Sequence, residues 1–220
     1  NLLVYALVVP FSVYVSVHSG HRRRFYIVAV TVLVAFPFVL SGLNLLFPRP
    51  RIGFGLSGLN MAFVGYLPHV LADHMESDRR QSEAGGESLL LFAFFVGTTI
   101  IALRVALSLR PGLAYGTEWL LAAGAGSVLG IAVFARPLVD CLRERTRTGE
   151  VHRLSKAMFG GVLFVLLVLI GFPQVSVADG SVVNVFLHLL GYSLGHIAPY
   201  VAFRVLGIDA DFSRSLQSVD

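Results

Sequence analysis

The sequence predicts an all-α fold, a polytopic transmembrane helical bundle, and three observations carry this prediction. The chain has 220 residues, of which 55% are hydrophobic and only 14% are charged, whereas soluble domains contain about 45–50% apolar residues. Its mean hydropathy is +0.76. Apolar runs recur between short polar connections, and they are long enough for a bilayer core of about 30 Å, which needs on the order of 20 residues per helix.

Seven apolar segments stand between polar, glycine and proline residues, and each predicts one membrane-spanning helix. The predicted spans are residues 1–17, 24–43, 57–73, 88–109, 117–136, 157–173 and 182–203. The whole chain, residues 1–220, is expected to form a single membrane domain. Asn1 lies inside an apolar run with no initiator methionine or signal sequence before it, so we expect truncation at the N-terminus.

The basic residues predict the orientation of the bundle. The net charge is +4. Arg and Lys concentrate in the first, third and fifth connections and in the C-terminal tail, whereas the other connections hold only Arg49, Arg51 and Arg110. The positive-inside rule makes the first set cytoplasmic. Because these charges act as topology signals, the lipid bilayer is the expected partner and nucleic acid is not.

Neither a cofactor nor a metal is expected. The single cysteine, Cys141, excludes an internal disulfide and a multi-cysteine metal site. His69, Asp73 and His74 superficially suggest zinc ligands. A five-residue spacing, however, puts the two imidazoles about 140° apart around a helix, so they do not converge. We interpret these three residues as interfacial.

Ser57 lies between glycines where a loop turns into a membrane helix, in the segment Gly55-Leu-Ser57-Gly58. Such a turn exposes a hydroxyl together with backbone N–H groups, and a helix N-terminus favours negative charge. The glycines permit the close approach and unusual dihedral angles that an oxyanion-binding turn requires. Taken alone, the pattern is more typical of helix packing in membranes than of a catalytic site.

His188 lies near the start of the last predicted span and is followed by Gly191 and Gly195. Offsets of three and seven residues put both glycines on the face of the histidine. Close packing there would hold the imidazole at a fixed distance from a neighbouring helix. Ser57 and His188 begin their spans from the same, non-cytoplasmic side, so the pair favours catalysis over an interhelical hydrogen bond.

These motifs resemble the rhomboid family of intramembrane serine proteases, which carry Gly-x-Ser-Gly at the start of one membrane helix and His-x-x-Gly-x-x-x-Gly on a later one. Gly65-Tyr66 extends the similarity along the serine helix. The resemblance implies that Ser57 is the nucleophile and His188 its general base, a dyad without the acid of a Ser/His/Asp triad. It also implies that Asn1 and the Ser57 backbone N–H bind the oxyanion. The glycines expected to pack beside the site are Gly55, Gly58, Gly191 and Gly195.

By the same resemblance the substrates are transmembrane proteins, cleaved in or near their membrane segments at the non-cytoplasmic face of the plasma membrane. Two features depart from the family pattern. The histidine helix comes four spans after the serine helix instead of two, which predicts an extra helical pair between them. Met61 stands where many family members have a tyrosine that packs on the catalytic histidine.

Two other functions remain as alternatives. A proteolytically inactive rhomboid-like protein that binds membrane helices is favoured by the extra helices and by Met61. A small transporter is the other, with a path lined by Arg104, His196 and glycines. No inverted repeat is evident in the sequence, which weighs against the transporter.

Overall fold

The computed structural model describes residues 2–46, 56–76, 83–108, 117–147, 149, 151–172 and 185–208. Within these residues the chain is helical throughout, with short turns and no β-strand. The helices are α1 (Leu2–His18), α2 (Arg22–Val34), α3 (Phe36–Leu46), α4 (Ser57–Glu76), α5 (Glu83–Ser108), α6 (Thr117–Arg147), α7 (Val151–Gly171) and α8 (Val185–Pro199). A π-helical turn, Tyr200–Val205, continues α8.

The predicted span 24–43 is a pair of helices, α2 and α3, that meet at a bend of 46°. Pro37 accounts for the break. Its ring lacks the N–H that would bond the carbonyl of Leu33, and it disfavours helical geometry in the residue before it. The two helices together are still long and apolar enough to cross a membrane as one broken span.

Three segments in the described part of the chain are long and apolar enough to cross a membrane by themselves, namely Gly86–Arg104, Gly124–Glu144 and Leu154–Gly171, in α5, α6 and α7. The bent α2–α3 pair raises this number to four. Helices overlap all seven predicted spans, but a count of seven spans is not confirmed. α1 has 17 residues, and α4 carries histidine and carboxylate side chains that lower its hydropathy.

α4 lies at the centre of the bundle, and all of its residues from Gly58 to Met75 are buried. α1, α2, α5, α7 and α8 pack around it, and α8 makes the most extensive contact. α6 lies on the outside, against α5 and α7. A helix surrounded by protein can carry polar side chains at membrane depth, because neighbouring helices satisfy their hydrogen bonds.

The outer faces of the bundle are apolar. Val30, Leu129 and Met158, on α2, α6 and α7, are each more than half exposed. Large exposed apolar surfaces of this kind mark contact with a membrane or with another protein. Together with the three long apolar helices, they indicate that this chain associates with a membrane.

Candidate active site

Ser57 is the first residue of α4, and its side chain is half-buried. The first hydrogen bond of the helix runs from the Asn60 N–H to the Leu56 carbonyl, at 3.0 Å. The N–H groups of Ser57, Gly58 and Leu59 therefore have no partner within the helix. A hydroxyl and a set of backbone donors that have no partner inside the helix thus share the same helix end, where the helix dipole favours negative charge.

The helices that carry Ser57 and His188 run parallel to each other. A Cβ atom on Gly191 of α8 would overlap the carbonyl oxygen of Gly58 on α4. One helical turn further along both helices, a Cβ on Gly195 would overlap the Ala62 carbonyl. The contacts follow the same order along both helices, so α4 and α8 run in the same direction.

Glycine allows this backbone-to-backbone packing from the α4 side as well. A Cβ on Gly58 would lie 3.2 Å from the carbonyl oxygen of Leu187, and one on Gly65 would overlap the carbonyl oxygen of Tyr192. Side chains larger than hydrogen would separate the helices at these points. Leu187 and Gly58 are the immediate chain neighbours of His188 and Ser57, so the structure brings the two ends together.

His188 is 6% exposed, and its ring is held by the end of α7. Its Nδ1 lies 2.5 Å from the carbonyl oxygen of Gly171. A carbonyl oxygen can only accept a hydrogen bond, so Nδ1 carries the proton in the neutral ring and Nε2 keeps its lone pair. Phe172 meets the imidazole edge-on, with ring centroids 5.8 Å apart and planes at 86°.

No hydrogen bond joins the side chains of Ser57 and His188, both of which the structure describes. In ligand-free enzymes the bond between a nucleophile and its base is often long, and it tightens when substrate binds. What the described residues establish is the tautomer of His188 and the contact between the helix ends.

Met61 lies one turn along α4 from Ser57 and is 2% exposed. Its sulfur fills the space that a Cβ on Gly171 would need. Met61 therefore packs against the residue whose carbonyl holds His188, while Phe172 supplies the aromatic contact to the imidazole. Gly171 and Phe172, at the end of α7, thus contribute to the site, and sequence reasoning missed both residues. The Gly-Phe-Pro sequence at 171–173 predicts that a helix ends there, but it does not predict which residues pack against that end.

Asn1 and Gly55 lie outside the described residues. The predicted oxyanion role of Asn1 and the predicted packing role of Gly55 therefore remain predictions. Gly58, Gly191 and Gly195 are all found where α4 and α8 touch. Of the oxyanion donors named from the sequence, the structure describes the backbone of Ser57.

Charged side chains are buried at the C-terminal end of α4. The Asp73 carboxylate pairs with Arg24 of α2 at 2.6 Å and with Arg204 of the π-helical turn at 3.4 Å. Arg204 also pairs with Glu76, at 2.7 Å. Asp73 is 5% exposed, as is His74. α1, α2 and the π-helical turn cover this end of α4, so these side chains lie inside the protein, and their predicted position at the membrane interface remains a prediction.

The remaining histidines have separate partners. His69 donates from Nε2 to the carbonyl oxygen of His196 at 2.8 Å, and His196 donates from Nδ1 to that of Gly65 at 3.2 Å. His74 bonds the hydroxyl of Ser19 at 2.9 Å. His69 and His74 therefore point to different helices. Over the described residues, no three histidine, cysteine or carboxylate side chains gather as they would around a metal ion.

Comparison with known proteins gave no match: no family model, no curated protein and no solved structure matches this chain.

Proposed function

We propose that this chain is an intramembrane serine protease, in which Ser57 is the nucleophile and His188 is the general base. One observation carries the proposal. The glycine contacts between α4 and α8 bring the ends that bear these two residues together, and His188 presents an unprotonated Nε2. A nucleophile at a helix N-terminus and a base oriented by a third group are the parts that acyl transfer requires.

Acylation proceeds from these groups. Ser57 Oγ attacks the scissile carbonyl carbon and its proton passes to His188 Nε2. The negative charge that develops on the carbonyl oxygen is stabilised by the N–H groups of the first turn of α4, joined by Asn1 as the family resemblance implies. The C–N bond then breaks, and the leaving amine takes the proton from His188.

Deacylation reverses the roles of the same atoms. A water molecule gives a proton to His188 Nε2 and attacks the acyl carbon. The bond to Ser57 Oγ then breaks, and the serine recovers its proton from the histidine. Water reaches both residues if the serine end of the bundle lies at an aqueous surface, since backbone hydrolysis cannot occur in dry hydrocarbon.

The substrate class follows from the position of the dyad at the ends of two helices. A transmembrane segment of another protein must unwind near the membrane surface to present its scissile carbonyl, so small or helix-breaking residues are preferred there. By the positive-inside rule we infer that the arginine-rich end of the bundle faces the cytoplasm. We therefore propose cleavage on the non-cytoplasmic side, with the plasma membrane as the membrane concerned.

The test is cleavage of a transmembrane reporter by the full-length protein in liposomes, compared with Ser57→Ala and His188→Ala. We expect both variants to lose cleavage and Ser57→Ala to lose labelling by a fluorophosphonate. Ser127→Ala is a matched control, since Ser127 is a buried serine on α6, outside the site. His18→Ala is the control for histidine, because His18 is exposed and bonds the Tyr14 carbonyl. Undiminished cleavage in Ser57→Ala or His188→Ala would overturn the proposal.

The second candidate is a rhomboid-like protein that binds membrane helices without cleaving them. Two observations favour it: the lack of a hydrogen bond between Ser57 and His188, and Met61 at the position of the family tyrosine. Capture of the uncleaved reporter by the wild-type protein, with capture unchanged in Ser57→Ala, would support this candidate.

A further inference from the structure

The C-terminus of α7 ends against the imidazole of His188. Gly171 is the last residue of α7, so its carbonyl belongs to the group at a helix end that has no partner within the helix. The next residue, Phe172, donates its N–H to Val168, at 3.1 Å. The Gly171 oxygen accepts its hydrogen bond from His188 Nδ1.

We propose that this end of α7 takes the part that the buried acid plays in a Ser/His/Asp triad, with the Gly171 carbonyl and the Phe172 ring as positioning groups. The inference rests on the proposed function. The acid of a triad fixes the imidazole tautomer and stabilises the imidazolium that forms during acylation. The Gly171 carbonyl fixes the same tautomer. It also lies at the negative end of a helix dipole, which favours a neighbouring positive charge.

A helix end is well suited to this role in a membrane. A carboxylate at the same place would have to be desolvated, which is costly at membrane depth. The carbonyl carries only a partial charge, so its burial costs less. The other backbone groups of α7 form hydrogen bonds within the helix itself. The arrangement explains how a dyad without an acid can still orient its base.

Met61 links this positioning group to the serine helix. Its sulfur packs on Gly171, where no Cβ can be accommodated, so the end of α7 is seated on α4 one turn from Ser57. The Phe172 ring packs edge-on against the imidazole, and we expect this contact to oppose rotation of the imidazole away from Gly171. The nucleophile helix and the group that orients the base are therefore parts of one packed unit. On this view α7 belongs to the site.

The direct test is ¹⁵N NMR of the His188 ring in the full-length Ser57→Ala protein reconstituted in lipid. We expect a neutral ring protonated at Nδ1, with the Nδ1 shift of a strong hydrogen bond. In Phe172→Ala we expect a mixture of the two tautomers. A ring protonated at Nε2 in the Ser57→Ala protein would overturn the inference. This readout does not depend on cleavage.

A kinetic test adds a matched pair of variants. Gly171→Ala forces the new methyl group against Met61, and we expect kcat to fall about 100-fold with KM unchanged, as for a displacement of about 1 Å in a catalytic group. Met61→Ala combined with Gly171→Ala makes room for the methyl group, and we expect it to recover most of the loss. Equal activity of Gly171→Ala and wild type would contradict the positioning role.

The two proposals fail in different ways. Cleavage that persists in Ser57→Ala would overturn the protease itself. Cleavage that depends on Ser57 and His188, together with a ring protonated at Nε2, would overturn only the role of α7.

Discussion

Gly58 and Gly191 are in direct backbone contact, with the Gly58 carbonyl oxygen in the space that a Cβ on Gly191 would fill. This contact joins α4 to α8 next to Ser57 and His188. Since no side chain separates the two backbones, any residue larger than glycine must push the helices apart beside Ser57 and His188, the two residues of the proposed dyad. The geometry of the site is therefore set by the absence of a side chain.

Replacing Gly191 by alanine should lower both stability and cleavage. The added methyl group meets backbone that cannot yield, so we expect a cost of about 1–3 kcal/mol in the free energy of unfolding. Cleavage of the reporter should fall by more than the folded fraction does. Thermal unfolding in detergent measures the first effect and a liposome assay the second.

Gly126→Ala is the matched control for this variant. Gly126 also lies within a helix, α6, but no atom comes within 4 Å of the position of its Cβ. Alanine there should be neutral or stabilising, by up to about 1 kcal/mol. Equal behaviour of Gly191→Ala and Gly126→Ala would contradict the close packing of α4 and α8.

The two histidines of α8 should respond differently to substitution. His188→Ala should lose reporter cleavage by at least about 1,000-fold, as removal of a general base does, and it should also lower the stability, because the buried ring gives up its hydrogen bond to Gly171. His196→Ala loses a hydrogen bond to Gly65 and the stacking of its ring on Phe94, at 4.9 Å. We expect it to destabilise the fold by about 2–4 kcal/mol. A fully stable His196→Ala protein would be inconsistent with this structural role.

Met61→Tyr introduces the residue that many rhomboids have at the similar position, yet we expect it to impair this protein. The Met61 side chain is buried against Gly171, and the aromatic contact to His188 is already made by Phe172. A larger ring has no space, so we expect a loss of about 1–3 kcal/mol in stability and slower cleavage. Met61→Leu, of similar volume, is the control. Faster cleavage by Met61→Tyr would show that the ring finds another position.

Asp73→Ala should be strongly destabilising. It removes one ion-pair partner of Arg24 and one of Arg204, and the Asp73 side chain is only 7% exposed. Removing one member of a fully buried ion pair costs about 3–5 kcal/mol; because the two arginines are 20% and 23% exposed, we expect a loss near the lower end of that range. The control is Glu144→Ala, which removes an exposed pair with Arg147 at 3.9 Å and should leave unfolding unchanged. If the two variants unfold alike, the cluster around Asp73 does not hold α2, α4 and the π-helical turn together.

Much of the local structure follows from the sequence alone. Apolar runs of membrane length predict helices in the regions where helices are found, because backbone groups in lipid must be bonded within their own segment. Glycines at His188 plus three and plus seven predict a close helix contact, and α8 makes it through Gly191 and Gly195. The bend between α2 and α3 could also have been predicted from Pro37, since a proline in a helix interior removes a helix hydrogen bond.

The tertiary structure alone decided which helix end meets His188. Nothing in the order of residues relates Gly171 and Phe172 to an imidazole on another helix, because that contact arises from the packing of α7 beside α4. Burial of His69, Asp73 and His74 was missed for the same reason. Hydropathy describes how a segment partitions between lipid and water. It cannot predict the burial of polar side chains on α4, because α4 is surrounded mainly by other helices. Local composition therefore determined the helices of this protein, and only their packing decided which polar groups share a site.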